Sequence, residues 1–386
     1  MGKTTKIIRT TTVPTSLNTF CRGLLRELEE QDGYEIVAVS SPGKDLEEIA
    51  EQEGVKTVAV PMHREISPLN DLKSLWGLIK VFRKEKPTMV HSMTPKAGLL
   101  SMMAAWVCRV PVRLHTFTGL VFPTSTGLKQ KILIFTDRVT CACATHIVPE
   151  GEGVKNDLIN YGITKKPLKV LGYGNVRGID LKRFDPELSE VKAEAEKIRK
   201  EGVFTFVFVG RLVGDKGVNE LVEAFKRIHK KFQDTRLILI GPEEREFDPL
   251  ERKTIAEIES NTAIYTIGEI SDIRSWLLAS DTLVHPSYRE GFPNVVIEAG
   301  AMCLPSIVTD INGSREIIIE GKNGTIVPSK NVQALERAME RFINSPESTK
   351  AMANKARKLI ADRFEEGFVR KCLKDYYNEI LGKISR

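Results

Sequence analysis

The 386-residue sequence is short of several things, and each shortage excludes a class of protein. Its six cysteines, Cys21, Cys108, Cys141, Cys143, Cys303 and Cys372, show no framework spacing. That excludes a disulfide-stapled fold and reads as the reduced thiols of a cytoplasmic protein. Cys141 and Cys143 stand too close together for a Cys-x-x-Cys metal site and read as packing residues near the end of a helix. The six histidines do not pair at helical spacing, and no Asp-x-Asp follows a strand, so no metal site is expected. No apolar run reaches the roughly 18 residues of a membrane span; the nearest, Gly98 to Val107, stops at Arg109. The N-terminus lacks a signal-peptide pattern, and Lys6 stands where a myristoylation motif needs Ser or Thr. A P-loop motif is absent, which excludes ordinary P-loop chemistry. Aromatic residues make up only 7%, and the basic bias is too weak for a nucleic-acid partner.

What remains is an ordinary soluble composition, 41% hydrophobic and 28% charged, at a length that suggests two domains. The net charge of +6 (57 − 51) is unevenly spread. Residues 1–180 hold 24 basic and 18 acidic side chains, residues 181–386 hold 33 of each, and residues 56–138 hold 13 against 4.

Apolar runs alternate with amphipathic stretches from end to end, the sign of βαβ units and parallel sheets. In the first half, strands are expected at Thr5–Arg9, Glu35–Ser40, Lys56–Val60, Met89–Ser92, Val112–Thr116, His146–Pro149 and Leu168–Leu171. Helices are expected at Leu17–Glu30 and Asp71–Lys84. A second series runs through Phe204–Val209, Arg236–Ile240, Ile264–Ile267, Thr282–His285, Ser306–Val308 and Thr325–Val327. The break falls after Phe184, where Asp185–Gly202 is a charged helix. The expected domains are 1–184 and 185–363, with 364–386 a C-terminal helix packing back toward the first. Its stripe is Phe364, Phe368, Cys372, Tyr376 and Ile380. Two doubly wound parallel-sheet domains facing a cleft follow, with ligands at the carboxyl ends of the strands.

Several segments at such ends carry chemistry. Gly172 to Gly178 has the spacing G-x-G-x-x-x-G with no helix after it, a poor dinucleotide fingerprint. After Phe204–Val209 come Gly210-Arg211 and then Lys216-Gly217. Two cations at a sheet's carboxyl edge suit a diphosphate, although they suit a solvated loop pair equally. After His285 the chain reads Ser287-Tyr-Arg-Glu-Gly-Phe-Pro-Asn-Val-Val-Ile-Glu298. Pro293 fits the first position of a helix, so amides near Asn294 and Val295 are aimed to hold phosphate oxygens. Glu290 and Glu298 do not help an anion and are better suited to sugar hydroxyls. Glu298 as an ordinary helix residue would be an unpaired charge among apolar neighbours. His91 and His115 end strands; a lone histidine is more often structural, and its place at a cleft improves the case for His115. Asp71–Lys84 is a core-packed helix with a basic outer face, which also suits a membrane surface.

Taken together, these residues resemble the retaining glycosyltransferases of family 4, bacterial polysaccharide-assembly type. The resemblance rests on Gly210-Arg211 with Lys216-Gly217, on Glu290-Gly291-Phe292-Pro293 with Glu298, and on Asn312-Gly313 with Glu316. Asp281 with Pro286-Ser287, and Gly178-Ile179-Asp180 with Phe184, also fit. It implies the α/β GT-B fold of two Rossmann-like domains, the first for an acceptor and the second for a nucleotide-sugar. Arg211 and Lys216 would bind the donor diphosphate, Glu298 the ribose and Glu290 the hexose, with His115 near the sugar. Gly210, Gly291, Phe292, Pro293, Asn294 and Val295 complete the donor side. The glycine-rich first loop of many members is replaced by Thr10 to Ser16, so hydroxyls such as Thr15 and Ser16, with His91, are the acceptor-side candidates.

The implied reaction moves a hexose or N-acetylhexosamine, from a UDP-sugar, to a saccharide on a lipid diphosphate in capsule, O-antigen or exopolysaccharide synthesis. Retention follows from the family and no cofactor or metal is expected. An anionic membrane surface is an expected partner, on the inner face of the cell membrane. The alternatives are a nucleotide-sugar epimerase of the same fold and a non-catalytic nucleotide-sugar-binding protein.

Overall fold

The computed structural model describes residues 5–63, 67–244 and 248–383. The chain forms two compact units, Met1–Arg177 with Gly367–Arg386, and Gly178–Glu366.

The first unit runs β1 (Lys6–Thr10), α1 (Pro14–Cys21), α2 (Leu24–Glu30), β2 (Glu35–Ser40), α3 (Lys44–Glu53), β3 (Lys56–Ala59), α4 (Pro68–Glu85), β4 (Met89–Met93), α5 (Pro95–Val107), β5 (Val112–Phe117), α6 (Gly127–Cys143), β6 (His146–Pro149) and α7 (Glu152–Asn160). The second runs α8 (Ser189–Ile198), β7 (Phe204–Val209), α9 (Val218–Lys231), β8 (Thr235–Ile240), α10 (Arg252–Ser260), β9 (Ile264–Gly268), α11 (Arg274–Leu278), β10 (Thr282–His285), α12 (Asn294–Ala301), β11 (Ser306–Thr309), α13 (Ser314–Ile317), β12 (Gly324–Val327), α14 (Val332–Asn344) and α15 (Pro346–Phe364). Helix α16 (Glu366–Gly382) returns to the first unit.

Both sheets are parallel, six-stranded and wound alike. The first has the order β3-β2-β1-β4-β5-β6, and the second β9-β8-β7-β10-β11-β12 when read from its other edge. Each is the doubly wound order in which the winding reverses between the first and fourth strands of the unit. Helices cover both faces, so the strands read as continuous apolar runs with period-two sorting into two cores. Ile8, Val37, Val39 and Val90 face one core of the first unit, while Ile7, Ile36, Ala38 and Met89 face the other. In the second unit Phe206, Phe208, Leu237 and Leu239 face one side and Val207, Ile238, Ile240 and Leu283 the other.

Four expectations need correction. Leu168–Leu171 is not a strand; only an isolated bridge joins Leu168 to Ile147. Leu17–Glu30 is two helices, because the chain turns at Gly23 with φ 73°, a left-handed value that glycine adopts without strain. The first boundary lies at Arg177/Gly178 rather than after Phe184, since Ile179 and Phe184 are core residues of the second unit. Phe364 likewise ends α15 in that core, 0% exposed, and does not start the C-terminal helix.

Helix α16 buries Tyr376, Tyr377 and Ile380 against Ile7, Leu25 and Leu28. Each such side chain contributes about 1.5–3 kcal/mol of apolar burial. Its polar flank is paired as well: Glu27 accepts from Arg370 at 3.0 Å and Lys374 at 2.9 Å. Among the described residues no helix is long and apolar enough to cross a membrane.

Candidate active site

In the second unit the winding reverses between β7 and β10, and the loops leaving these two strands meet. The β7 loop runs through Gly210 and Arg211 into a single 3-10 turn, Gly214–Lys216, and then Gly217. Gly217 has φ 72°, and a Cβ there would lie 2.1 Å from the Pro286 carbonyl oxygen of the β10 loop, so only glycine allows the approach. Asp215 fastens the two loops: its carbonyl accepts from the Tyr288 amide at 2.8 Å, and its carboxylate meets Arg289 at 3.3 Å.

This junction brings Lys216 and Glu290 together, with Nζ to Oε1 at 2.5 Å. His285, 3% exposed at the end of β10, contacts the same oxygen through Nε2 at 3.2 Å. Burial acts to raise the Glu290 carboxyl, but the His285 hydrogen bond and the Lys216 charge outweigh it and hold it at about 2. Glu290 is therefore an anion at every working pH. An ammonium has three N–H donors, so Lys216 keeps two for another acceptor. Arg211 is half-exposed and pairs with Glu244.

The β10 loop ends at α12. Pro293 is the N-cap of this helix rather than its first residue. The amides of the first turn, Asn294 and Val295, still point back along the helix axis toward the loop. Gly313, ahead of α13, lets Gly291, Phe292 and Pro293 pack tightly, since a Cβ would come within 2.5–2.7 Å of each. Phe292 is not a ligand-facing side chain: it is 6% exposed and packs edge-on to Phe364 at 5.4 Å. Glu298 lies one turn further along α12 and is half-exposed. Glu316 caps α13 by accepting from the Gly313 amide at 3.1 Å. Asp281 precedes β10 at the opposite edge of the sheet, where it accepts from the Thr205 amide at 2.7 Å, a structural clamp.

In the first unit the winding reverses between β1 and β4. Thr12 and Thr94 join the two loops there, hydroxyl to hydroxyl at 2.8 Å. Thr94 holds φ 68° and ψ 146°, a strained conformation for a β-branched residue, and Thr12 Oγ1 accepts from the Ala97 amide at the start of α5. Thr15 and Ser16 sit in the first turn of α1, with Thr15 exposed and Ser16 half-buried. His115 ends in a small cavity of about 20 Å³, enough for one water. Its Nδ1 is held by Ser92 Oγ at 2.8 Å, and the missing side chain of Gly98 makes room for the ring. Burial holds it at about 3, against a hydrogen bond from the ring to the Ser92 backbone that acts the other way, so it is neutral. Asp137 of α6 lines the same cavity and is raised to about 7 by burial.

His91 is not on the acceptor-side surface where the sequence put it. It is 2% exposed, with Nδ1 between Arg9 (2.8 Å) and the Tyr377 hydroxyl (2.6 Å), and Nε2 on Thr116 at 2.7 Å. Sequence reasoning also missed Asp215, Thr94 and Asp137. Asp215 adjoins Lys216, and nothing local marks it as a clamp across 73 residues to Tyr288 (288 − 215). Among the described residues no three His, Cys, Asp or Glu side chains are grouped to hold a metal ion.

The family model "Glycosyl transferases group 1" matches residues 190–359, and "Glycosyl transferase 4-like domain" matches residues 16–174. The capsular polysaccharide biosynthesis glycosyltransferase CapM of Staphylococcus aureus is 32% identical over 380 residues, 98% of each chain. The chain belongs to the family 4 glycosyltransferases of bacterial polysaccharide assembly. An Escherichia coli relative, the UDP-Gal:alpha-D-GlcNAc-diphosphoundecaprenol alpha-1,3-galactosyltransferase, is 29% identical over 295 residues, 75% of each. The crystal structure of Anabaena Alr3699/HepE in complex with UDP superposes with a TM-score of 0.79 over 98% of this chain and 100% of that one, at 16% identity. The fold is therefore the GT-B fold, and this glycosyltransferase has Lys216, Glu290 and the start of α12 at the switch point of its second unit.

Proposed function

We propose that this glycosyltransferase moves a hexose or N-acetylhexosamine from a UDP-sugar to a saccharide carried on a polyprenyl diphosphate, with retention, in capsular polysaccharide synthesis. One observation carries the reading: Lys216, Glu290 and the first turn of α12 converge at a switch point, where cation, carboxylate and amides suit the phosphate and sugar halves of one donor. The capsular role and lipid-diphosphate acceptor draw support from the names of the S. aureus and E. coli relatives.

In this mechanism Lys216, Arg211 and the α12 amides bind the diphosphate. Glu290 accepts a hydrogen bond from a hexose hydroxyl, and Glu298 does the same for the ribose. The C1–O bond to phosphate breaks with its electron pair passing to the diphosphate, where charge fixed in advance lowers the barrier. The acceptor oxygen bonds to C1 from the same face, and its proton passes to the departing diphosphate oxygen. Two cations and a helix terminus supply the positive charge this step needs, so we propose that no metal ion takes part. His115, neutral beside Thr118 and Asp137, is assigned to the acceptor side near the transferred sugar.

The test begins with thermal shifts for UDP-, GDP- and ADP-sugars, since a bound donor stabilises the fold by mass action. A UDP-sugar is expected to give the largest shift, and its transfer product to keep the donor's anomeric configuration by NMR, with EDTA present. A larger shift from GDP- or ADP-sugars, an inverted anomer, or activity abolished by EDTA each overturns the corresponding part of the proposal.

A further inference from the structure

Asp137 of α6 is an enclosed carboxyl that the fold leaves without a partner. Among the described residues it has neither a hydrogen bond nor an ion pair, and burial, unopposed by any charge or hydrogen bond, raises it to about 7. Its neighbours are committed elsewhere. Thr136 donates its hydroxyl to the Leu133 carbonyl at 2.9 Å. Arg138 donates to the Tyr161 and Gly162 carbonyls, each at 3.2 Å. Lys166 donates to the carbonyls of Cys141, Ala142 and Ala144 at 2.6–2.8 Å. Other enclosed carboxyls of the first unit are matched: Glu85 by Lys6 and Lys56 at 3.0 and 2.6 Å, and Glu53 by the amides of Gly23 and Arg26 at 2.6 and 3.2 Å. An unpaired carboxyl in such a place is costly, and a group so perturbed at a cavity marks a place where the protein binds something.

The cavity limits what that can be. It has a volume of about 20 Å³, room for one water-sized group. Asp137 lines it from α6, His115 from β5, and Thr118 and Gly119 from the loop that follows β5. A carboxylate accepts from a hydroxyl or an N–H and repels a phosphate or a second carboxylate. The space admits a single hydroxyl and is too small for an acetamido group.

We propose that Asp137 accepts a hydrogen bond from one hydroxyl of the acceptor sugar and so helps to select that sugar. The assignment rests on the acceptor-side place given to His115 in the proposed function, because the two side chains line one cavity. Binding then depends on the charge of Asp137 alone among its neighbours. His115 is held at about 3 and Cys141, one turn along α6, at about 12, both by burial. Arg138 and Lys166 are the cations on the carbonyls named above, and the loop after β5 and the start of α5 present no titratable group to the cavity. A carboxylate accepts a hydrogen bond more strongly than the protonated acid, so acceptor binding tightens as pH rises through neutrality.

The test is binding of undecaprenyl-diphosphate-linked N-acetylglucosamine, and of its single-deoxy analogues, to wild type and D137N in detergent. Wild type is expected to bind about tenfold more tightly at about pH 8 than at about pH 6, and D137N about tenfold more weakly than wild type at the higher pH, with no pH dependence. One deoxy analogue is expected to bind both proteins equally. D137N is expected to unfold at an unchanged or higher temperature, because it removes an unpartnered charge. A lower unfolding temperature shows that the carboxyl serves the fold and overturns the proposal. Undiminished binding by D137N, the same pH dependence in both proteins, or a D137N penalty that persists for every deoxy analogue also overturns it. Transfer from a UDP-sugar is read separately on the same preparations. Binding that depends on Asp137 without any transfer refutes the functional reading and leaves the site standing, transfer without such binding refutes only the site, and neither binding nor transfer refutes both.

Discussion

Glu290 is a nearly enclosed carboxylate that the fold keeps ionised, which burial alone would oppose. The His285 hydrogen bond and the Lys216 charge more than reverse that penalty and hold its pKa at about 2. An unfolded glutamate titrates near ~4.3, so the difference corresponds to about 3 kcal/mol of stability at neutral pH. Because the folded value is the lower one, that contribution is present above the unfolded pKa and is lost as pH falls from about 4 toward 2. Glu290→Gln removes it. The stability gap between wild type and Glu290→Gln, from urea unfolding, is expected to be nearly constant from pH 7 to 5 and to shrink between pH 4 and 3. A gap unchanged by acid shows that Glu290 is not held as an anion by its neighbours. Activity of the variant is expected to fall by about 10²–10³, the range for losing one preorganised polar contact in a transition state.

At the scale of elements, α16 reaches a buried cation. Arg9 of β1 is 2% exposed and has no carboxylate partner among the described residues. Its Nη1 donates to the Tyr377 hydroxyl at 2.6 Å, while among the described residues Nη2 has only sulfur acceptors, Cys21 at 3.2 Å and Met93 at 3.0 Å. Tyr377→Phe keeps the ring and removes the oxygen, leaving a buried guanidinium short of an acceptor. The expected loss is about 1.5–3 kcal/mol, the worth of a hydrogen bond to a charged group, read as a lower urea midpoint at unchanged slope. A loss below about 0.5 kcal/mol, the range of ordinary surface changes, means Tyr377 acts through its ring alone. This cluster also marks how far the sequence could be read. Strands such as Glu35–Ser40 and Phe204–Val209 were legible to the residue, because a strand buried on both faces writes itself as an apolar run. That Lys216 and Glu290 lie in the loops leaving two strands was legible because each follows an apolar run closely, whereas their pairing across the two loops was not. His91 was not, because Arg9 and Tyr377 lie 82 and 286 residues away and no periodicity encodes such a meeting. The helix break at Gly23 and the boundary at Arg177/Gly178 were missed for the same reason: each depends on what packs against it from elsewhere in the chain.

At the scale of the whole molecule, two units have separate cores, and the chain passes between them at Arg177/Gly178 and again at Glu366/Gly367. The charge is divided more sharply than the two halves of the sequence suggest: the first unit, with its C-terminal helix, has 29 basic and 19 acidic side chains, a net of +10 (29 − 19), and the second has 28 and 32, a net of −4 (28 − 32). A donor held by Lys216, Glu290 and α12 engages the second unit, so its binding energy belongs there first. At a nucleotide concentration of 100 times Kd, mass action adds about 2.7 kcal/mol to the state that binds. For a unit the size of Gly178–Glu366 that is a rise of about 5–10 °C in Tm. Calorimetry with UDP is expected to raise the transition of the second unit by this amount. Hydrogen exchange is expected to slow at 210–217, 285–298 and 312–317, while amides of β1 to β3 exchange as before. Slower exchange confined to the first unit would refute the donor assignment. It would move the nucleotide to the basic half.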